Sequence, residues 1–325
     1  MSLQYALLQL LGDGQFHSGE DLAKTLGVTR AAIWKQLKEL QTQFQLDIHS
    51  VRGRGYRLVE AIELLDAKII QQAWQTAYPN AKLNIMVSVD STNQYLLQQT
   101  SDDLSSPAIV LAEYQTAGRG RRGKTWVSPF GNNIYLSMRY QFKQNVGQLM
   151  GLSLAVGVAV SRVLTKLGIH DIQLKWPNDV LYQGKKLCGI LLEMQGESHG
   201  PQTVIAGVGL NIKLPNSVAD SIDQPWIALD SIVSGMTLSR NELASQLIKE
   251  MLDSFVSFEQ QGLTPFRQAW QQQDKVINKK VNLLLGERIV QGIARGVDEQ
   301  GALLVETESG IQRFYSGEVS VRLES

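Results

Sequence analysis

The chain has 325 residues, more than one hydrophobic core usually organises, so two or three domains are expected. Hydrophobic residues at 43% and charged ones at 19% describe an ordinary soluble protein, and 31 Lys plus Arg against 31 Asp plus Glu argue against a surface that coats nucleic acid non-specifically. One cysteine, Cys188, excludes an internal disulfide and any cysteine-based zinc site, and four scattered histidines lack metal-ligand spacing, so any metal is expected to arrive with a substrate.

At the N-terminus, MSLQYALLQLLGDG lacks the basic segment and small-residue cleavage site of a signal peptide. No run of about 18 uninterrupted apolar residues follows anywhere. A cytoplasmic chain with no membrane partner is therefore expected. Leu3, Leu7, Leu8 and Leu10 put an apolar face on a first helix, which Gly12-Asp13-Gly14 ends. Ser18 is a candidate N-cap for a second helix through Leu22, Ala23 and Leu26. After the short turn Gly27-Val28, Thr29 caps a third helix in which Ala32, Ile33, Leu37 and Leu40 recur at helical spacing. Two helices across a tight glycine-containing turn point to a helix-turn-helix. LDIHSV and GYRLV then read as short strands joined by Arg52-Gly53-Arg54-Gly55, a wing whose glycines tolerate positive φ. From Val28 to Arg57 six basic residues stand against two acidic ones, the charge a phosphate-contacting surface requires. Arg30, Lys35, Lys38, Arg52 and Arg54 are the candidate DNA contacts. A small module that binds protein is the alternative. Trp34 is open between core and base contact, and the reading leans to core.

After a linker region, Glu60 to Leu65, apolar strands alternate with helical segments. LNIMVSV, AIVLAEYQ, NNIYLSMRY, IQLKW, KKLCGILLEM and TVIAGVGLNI are the strand candidates; helices are expected over 67–78, 92–100, 147–168 and 240–262. The most unusual segment is Gly118 to Trp126, GRGRRGKTW, with four basic residues in nine and no acid. It satisfies the G-x-x-x-x-G-K-[ST] pattern of a P-loop, but a P-loop opens a helix, and here TWVSPFGNNIYLS continues with Pro129, Gly131 and a strand pattern. Glycines between guanidinium forks suit instead a loop that closes over a carboxylate and phosphates. From about Lys275 the pattern changes to short strands, VNLLLG, RIVQGIARGV, ALLVET, IQRFYSG and VSVRL, which implies a small barrel.

The segment AEYQTA-GRGRRGKTW resembles the signature of the biotin protein ligases, and among them the bifunctional members that also repress a biotin operon. The resemblance extends to Asp90-Ser91-Thr92-Asn93, KWPND (175–179), KKLCGI (185–190) and GVGLNI (207–212), and covers the whole chain in the family's order. It implies an α+β protein in three parts. These are a winged helix-turn-helix over 1–62, a central mixed-sheet α/β catalytic domain similar to the class II aminoacyl-tRNA synthetases over 63–272, and an SH3-like barrel over 273–325. It implies biotin and ATP as substrates, with Mg2+ entering alongside ATP. The implied acceptor is a lysine of the biotin carboxyl carrier protein of acetyl-CoA carboxylase, and operator DNA is a second partner. A homodimer favoured by biotinyl-AMP completes the picture, with NNIYLSMRYQF (132–142) a candidate for part of the contact. Joining an acid to lysine through an acyl adenylate needs no enzyme nucleophile, which agrees with the absence of any recognisable Ser, Cys or Thr nucleophile motif.

By the same resemblance, biotin contacts are expected from Ser91, Thr92, Asn93, Gln115, Arg119, Gly120, Arg121, Lys186 and Gly189. Arg121, Lys124, Asn178, Asp179, Asn211 and Trp226 are expected at ATP or the adenylate. Arg121, Lys186 and Asp179 are the expected catalytic groups, and Glu318 and Arg322 match positions that assist with ATP and the acceptor. Read without the family, Ser91 is an N-cap, Lys185-Lys186 a hairpin end, Asp179 an Asx-turn residue and Trp226 core. Lys124 stands where the motif commonly has arginine, so a bidentate grip becomes a point charge. Cys188 is expected to be a small buried filler. A ligase whose winged helix no longer reads DNA, and a related lipoate-type ligase, remain as alternatives; GRGRRG and KWPND argue against the second.

Overall fold

A computed structural model of the chain describes residues 3–99, 106–197, 199–215, 222–233, 238–315 and 319–323. Its N-terminal part contains α1 (Leu3–Leu11), α2 (Gly19–Leu26) and α3 (Arg30–Phe44), followed by the hairpin β1 (Ile48–Val51) and β2 (Gly55–Leu58). Both expected caps form: Ser18 Oγ accepts the amide of Asp21 at 3.0 Å and Thr29 Oγ1 that of Ala32 at 3.2 Å, each satisfying a helix-end donor. The buried face of α1 is Leu7, Leu8 and Leu11, with Leu10 only partly covered, a one-residue rotation from the face read in the sequence. Gly55 has φ 100°, and a Cβ there would lie 2.0 Å from the carbonyl oxygen of His17. That close approach lets Tyr56 exchange backbone hydrogen bonds with His17 at 2.8 and 2.9 Å, tying the wing to the helices.

The central part runs α4 (Ala67–Gln71), β3 (Lys82–Met86), α5 (Thr92–Gln98), β4 (Ala108–Ala112), β5 (Ile134–Phe142), α6 (Leu152–Lys166), β6 (Ile172–Lys175), β7 (Asp179–Tyr182), β8 (Lys185–Gln195), β9 (Gln202–Leu210), α7 (Leu229–Ile232), α8 (Arg240–Gln261) and α9 (Thr264–Gln273). One seven-stranded sheet has the order β3-β4-β5-β9-β8-β7-β6, parallel only between β3 and β4. Regular helix ends at Gln71 rather than at 78, because i→i+3 turns take over and swing Trp74 into the core. α6 is predominantly apolar, and Val146–Lys166 is long and apolar enough for a membrane span; here it is the central core helix, with Leu152 to Leu164 buried except Arg162. α9 lies outside the sequence expectations, although Pro265 in its first turn and buried Phe266 and Trp270 at i, i+4 carry the signal. β5 is hydrogen-bonded along both edges and mostly buried. A strand paired on both edges has no free backbone to offer a second chain, so any dimer contact made by 132–142 would run through its side chains and ends.

The C-terminal part is a five-stranded antiparallel sheet of β10 (Lys280–Leu285), β11 (Arg288–Val297), β12 (Leu303–Thr307), β13 (Gly310–Phe314) and β14 (Val319–Leu323), in the order β13-β12-β11-β10-β14. Glu318 lies outside the described residues.

The parts are knit together rather than strung on a loose linker. Phe44 at the end of α3 packs against Phe130 with ring centroids 4.5 Å apart, and against Tyr114 at 5.4 Å. Residues 63–66 are latched by Arg240, 4% exposed, whose guanidinium reaches Glu113 at 2.5 Å, the carbonyl of Glu63 at 2.7 Å and that of Asn133 at 2.9 Å. Asn241 donates to Glu63 Oε1 and to the carbonyl of Leu64, both at 2.9 Å.

Candidate active site and DNA-reading face

Strand ends and one N-cap converge on an inner pocket. Ser91 opens α5, and the turn places the Thr92 amide 2.9 Å from Gln115 Oε1. Gln115 in turn donates to Ser128 at 2.9 Å. The Ser137 hydroxyl, reaching up from β5, lies 2.6 Å from Asn93 Oδ1 and 2.7 Å from Thr92 Oγ1. Asn93 Nδ2 donates to Glu193 at 2.9 Å, and Glu193 holds the Arg119 guanidinium at 2.7 Å. Ser91, Thr92, Asn93 and Gln115 are all buried, so their orientations are fixed by this network rather than by solvent.

The floor of the pocket is glycine, and what faces it is Trp126. A Cβ on Gly209 would meet the indole at 2.4 Å and one on Gly189 at 2.8 Å; on Gly207 it would meet Asn93 Oδ1 at 2.3 Å. With the indole lying there, the inner pocket measures about 50 Å³, one or two waters' worth. It opens into a cleft of about 1600 Å³ bounded by the winged-helix part, the arginine-glycine loop and the C-terminal sheet.

Cations gather where pocket and cleft meet. Arg121, Lys186 and Asn178 line both spaces. Arg121 donates to Asn178 at 3.3 Å, and Asn178 is fixed by its own donation to the carbonyl of Ile190 at 2.6 Å. Burial pushes the Arg121 pKa down, Asp179 opposes the fall and Arg122 adds to it; a guanidinium nevertheless stays charged. Lys186 Nζ stands 2.8 Å from Asp179 Oδ1 and 5.4 Å from the Trp126 ring centroid. The ion pair is close but off the hydrogen-bond direction, so that buried Asp179 oxygen keeps an open acceptor position. Asn211 reaches the carbonyl of Ile227 at 3.2 Å, and Lys186 exchanges backbone hydrogen bonds with Pro225 and Ile227 at 2.9 Å each. Those bonds hold the strap carrying Trp226 over the cleft. Lys124 is exposed at the rim, 3.8 Å from Asp223.

Nearly every site residue read from the sequence lies in one of these two spaces. Arg119 is committed to Glu193 and Gln94 instead of standing free, and Lys124 sits outermost. Trp126, Ser137 and Glu193 escaped the sequence reading. A serine amid the buried apolar run of β5 was the available signal for the second; nothing local marked the indole as the object that two distant glycines, Gly189 and Gly209, face. Cys188 is fully buried, and burial pushes its thiol pKa well up, as expected of a filler.

On the far side, Arg30, Lys35, Lys38, Arg52 and Arg54 are all exposed. Arg54 lies over the Phe16 ring at 4.3 Å. Trp34 is 55% exposed, which corrects the leaning to core: it stands between Arg30 and Lys38 on the outer stripe of α3.

Fold and site together define a class: a mixed-sheet core of the acyl-ligase kind, with a helix-turn-helix in front and a small β-sheet part behind. Residues 85–211 match the Biotin/lipoate A/B protein ligase family, 276–322 the Biotin protein ligase C terminal domain and 3–57 an HTH domain. The chain is 42% identical to the bifunctional ligase/repressor BirA of Escherichia coli K12 over 97% of its length and 96% of that protein's. It is 31% identical to the biotin--[acetyl-CoA-carboxylase] ligase of Paracoccus denitrificans, over 72% of this chain and 98% of that one. Among solved structures, the Aquifex aeolicus biotin protein ligase in complex with biotin and ATP superposes with a TM-score of 0.62 at 29% identity, covering 75% of this chain and 99% of that one. The chain belongs to the biotin protein ligase family.

Proposed function

We propose that the chain is an ATP-dependent biotin protein ligase that makes biotinyl-5'-AMP and passes the biotinyl group to a lysine of the biotin carboxyl carrier protein of acetyl-CoA carboxylase. One observation carries this reading: Arg121 and Lys186 line both the glycine-floored inner pocket and the outer cleft. They stand where an acid in the first must meet a nucleotide in the second. The inner pocket takes the vitamin, with Ser91, Thr92, Asn93 and Gln115 supplying fixed polar contacts and Trp126 yielding its place over Gly189 and Gly209. Gly120 lets the loop backbone come close.

In the first step a carboxylate oxygen attacks the α-phosphorus, the bond to the β-phosphate breaks and pyrophosphate leaves with the electron pair. Arg121 orients the carboxylate and α-phosphate, and Lys186 offsets the negative charge that gathers there; positioned cations in a partly dry site act strongly because they need not reorganise. Asn178 keeps Arg121 in place, Asn211 holds the strap and Trp226 stacks on adenine. Mg2+ comes on the phosphates of the nucleotide, the cleft's own surplus being of cations. In the second step the carrier amine attacks the acyl carbon, AMP leaves, and the amine's proton passes to the open Asp179 oxygen. The assay is transfer of biotin to a purified carrier domain with ATP and magnesium. Biotinyl-lysine is the expected product, and its absence, with lipoyl-lysine formed instead from lipoate, sinks the reading.

The exposed basic face of the winged helix supports a second role, repression of the biotin biosynthesis operon by the biotinyl-AMP-bound form. Two readers paired in a homodimer would meet a palindromic operator. A gel shift strengthened by biotin plus ATP is expected, and sedimentation equilibrium unaffected by both substrates would remove the dimer from the scheme. A cytoplasmic location goes with both roles.

A further inference from the structure

Two arginines of the wing share one aromatic ring. The antiparallel bridge between His17 and Tyr56 sets Phe16, the residue before it, opposite Arg57. The Arg57 guanidinium lies 5.0 Å from the centroid of the Phe16 ring, and that of Arg54, from the hairpin tip, comes over the same ring at 4.3 Å. Among the described residues neither side chain makes a hydrogen bond or salt bridge, and Arg57 Nε is buried without a partner. Asp13, the acid nearest Phe16 in the chain, is already engaged: it stands 2.9 Å from His17 Nε2 and accepts the amide of Gln15 at 2.9 Å. Both guanidinium groups are thus arranged by a ring face and answered by no carboxylate.

That arrangement suits the phosphates of a duplex. Arg54 projects between Gly53 at φ 81° and Gly55 at φ 100°, and no side chain but Phe16 steadies it there. A free arginine gives up its rotamer freedom when it grips a phosphate, whereas one already stacked gives up less. A ring also holds the flat face of a guanidinium and leaves its N–H edge open to an anion. Gly19 ties the same strap to the reading helix, since a Cβ there would lie 3.1 Å from the Tyr56 ring and 3.9 Å from Arg30 Nε. Arg30, Arg54 and Arg57 therefore border one short segment, residues 16–19. Resting on the DNA-reading role, we infer that Phe16 is a positioning residue that holds Arg54 and Arg57 ready for neighbouring phosphates, and that Arg57 is itself a DNA contact. The ring touches no DNA; it acts through the two guanidinium groups.

A phosphate contact carries no base sequence, so a mixed-sequence DNA duplex is a sufficient probe. Binding of the full chain, supplied with biotin and ATP, is read by fluorescence anisotropy over a series of salt concentrations. Arg57→Gln is expected to weaken binding and to lower the magnitude of the salt slope by about 1, as one lost phosphate contact requires. Phe16→Leu keeps an apolar side chain and both charges; affinity should fall about threefold to tenfold with the slope nearly unchanged, and Phe16→Tyr should restore it. In a chain already carrying Arg54→Gln and Arg57→Gln, Phe16→Leu should cost almost nothing more, because the ring then has nothing to hold. Biotin transfer should stay at the wild-type rate in every variant, since none of these residues lines the pocket or the cleft. An equal loss from Phe16→Leu in both backgrounds marks a purely structural ring and overturns the positioning role, as does wild-type affinity for Phe16→Leu alone. An unchanged slope in Arg57→Gln removes that residue from the DNA face. If the wild-type chain transfers biotin yet shows no salt-dependent binding to the duplex, the DNA-reading role falls and takes the proposal with it.

Discussion

Replacing Arg240 with methionine removes the buried latch between the front of the chain and its core. Glu113 is 0% exposed and Arg240 4%, and the carboxylate's other oxygen already accepts the amide of Leu65 at 2.6 Å. Arg240→Met therefore strands a buried carboxylate and frees two carbonyls, those of Glu63 and Asn133, from their donors. Breaking one side of a buried pair costs about 3–5 kcal/mol. For a core of this size each kcal/mol moves the midpoint by about 2–4 °C, so the main thermal transition should fall by about 6–20 °C. The double variant Arg240→Met, Glu113→Leu removes the stranded charge along with its partner. It should be more stable than Arg240→Met alone, losing chiefly the Leu65 hydrogen bond, about 1–3 kcal/mol. Calorimetric scans and urea titrations of the full chain, following the transition of the central part, measure both. A single variant within about 1 kcal/mol of wild type, or a double variant whose cost equals the sum of the two singles, would refute the reasoning, because either result means the pair is not coupled.

Gly209→Ala drives a methyl into Trp126, whose indole lies 2.4 Å from the new Cβ. Stability should fall by about 1–3 kcal/mol and biotin affinity by tenfold or more; calorimetry showing an unchanged biotin Kd counts against the glycine floor. Burial raises the Cys188 pKa, so the thiol stays protonated in the native chain at pH 8 and should not react with Ellman's reagent until urea unfolds it. One equivalent released from the native chain would contradict that burial. Arg30→Ala should weaken operator binding and lower the magnitude of its salt slope by about 1, as expected for one lost phosphate contact. Trp34→Ala should weaken operator binding with the slope unchanged, and an unaltered gel shift for Trp34→Ala would return that residue to a role within the protein.

The sequence made the parts and most of the site legible because their signals are local. Ser18 and Thr29 cap the helices they precede, the glycine-spaced arginines form a loop, and KWPND closes a turn between two strands. What it hid were relations between distant segments. Gly189 and Gly209 stand in KKLCGI and GVGLNI, motifs far apart in the chain, and the group that lies against both is Trp126, 63 and 83 positions earlier. β7 is only four residues long and begins inside a segment with turn chemistry, so its pairing with β8 carries no periodicity of its own.

Charges were hardest of all to read, because a sequence shows how many there are and not which are already answered. Arg119, in the most conspicuous motif, is held by Glu193, whereas Arg240, in none, closes the junction between front and core. Lys175 lies in the strand candidate IQLKW, two residues from Pro177, and its surroundings appear only when β14 brings Arg322 to the same cleft. A cation matters to chemistry when the fold denies it a protein partner, and that is a property of the assembled cleft. Burial and place, rather than lack of a partner, separate Lys186 from Lys185 beside it: Lys185 is exposed to solvent, while Lys186 is partly buried and held against Asp179, where both spaces meet.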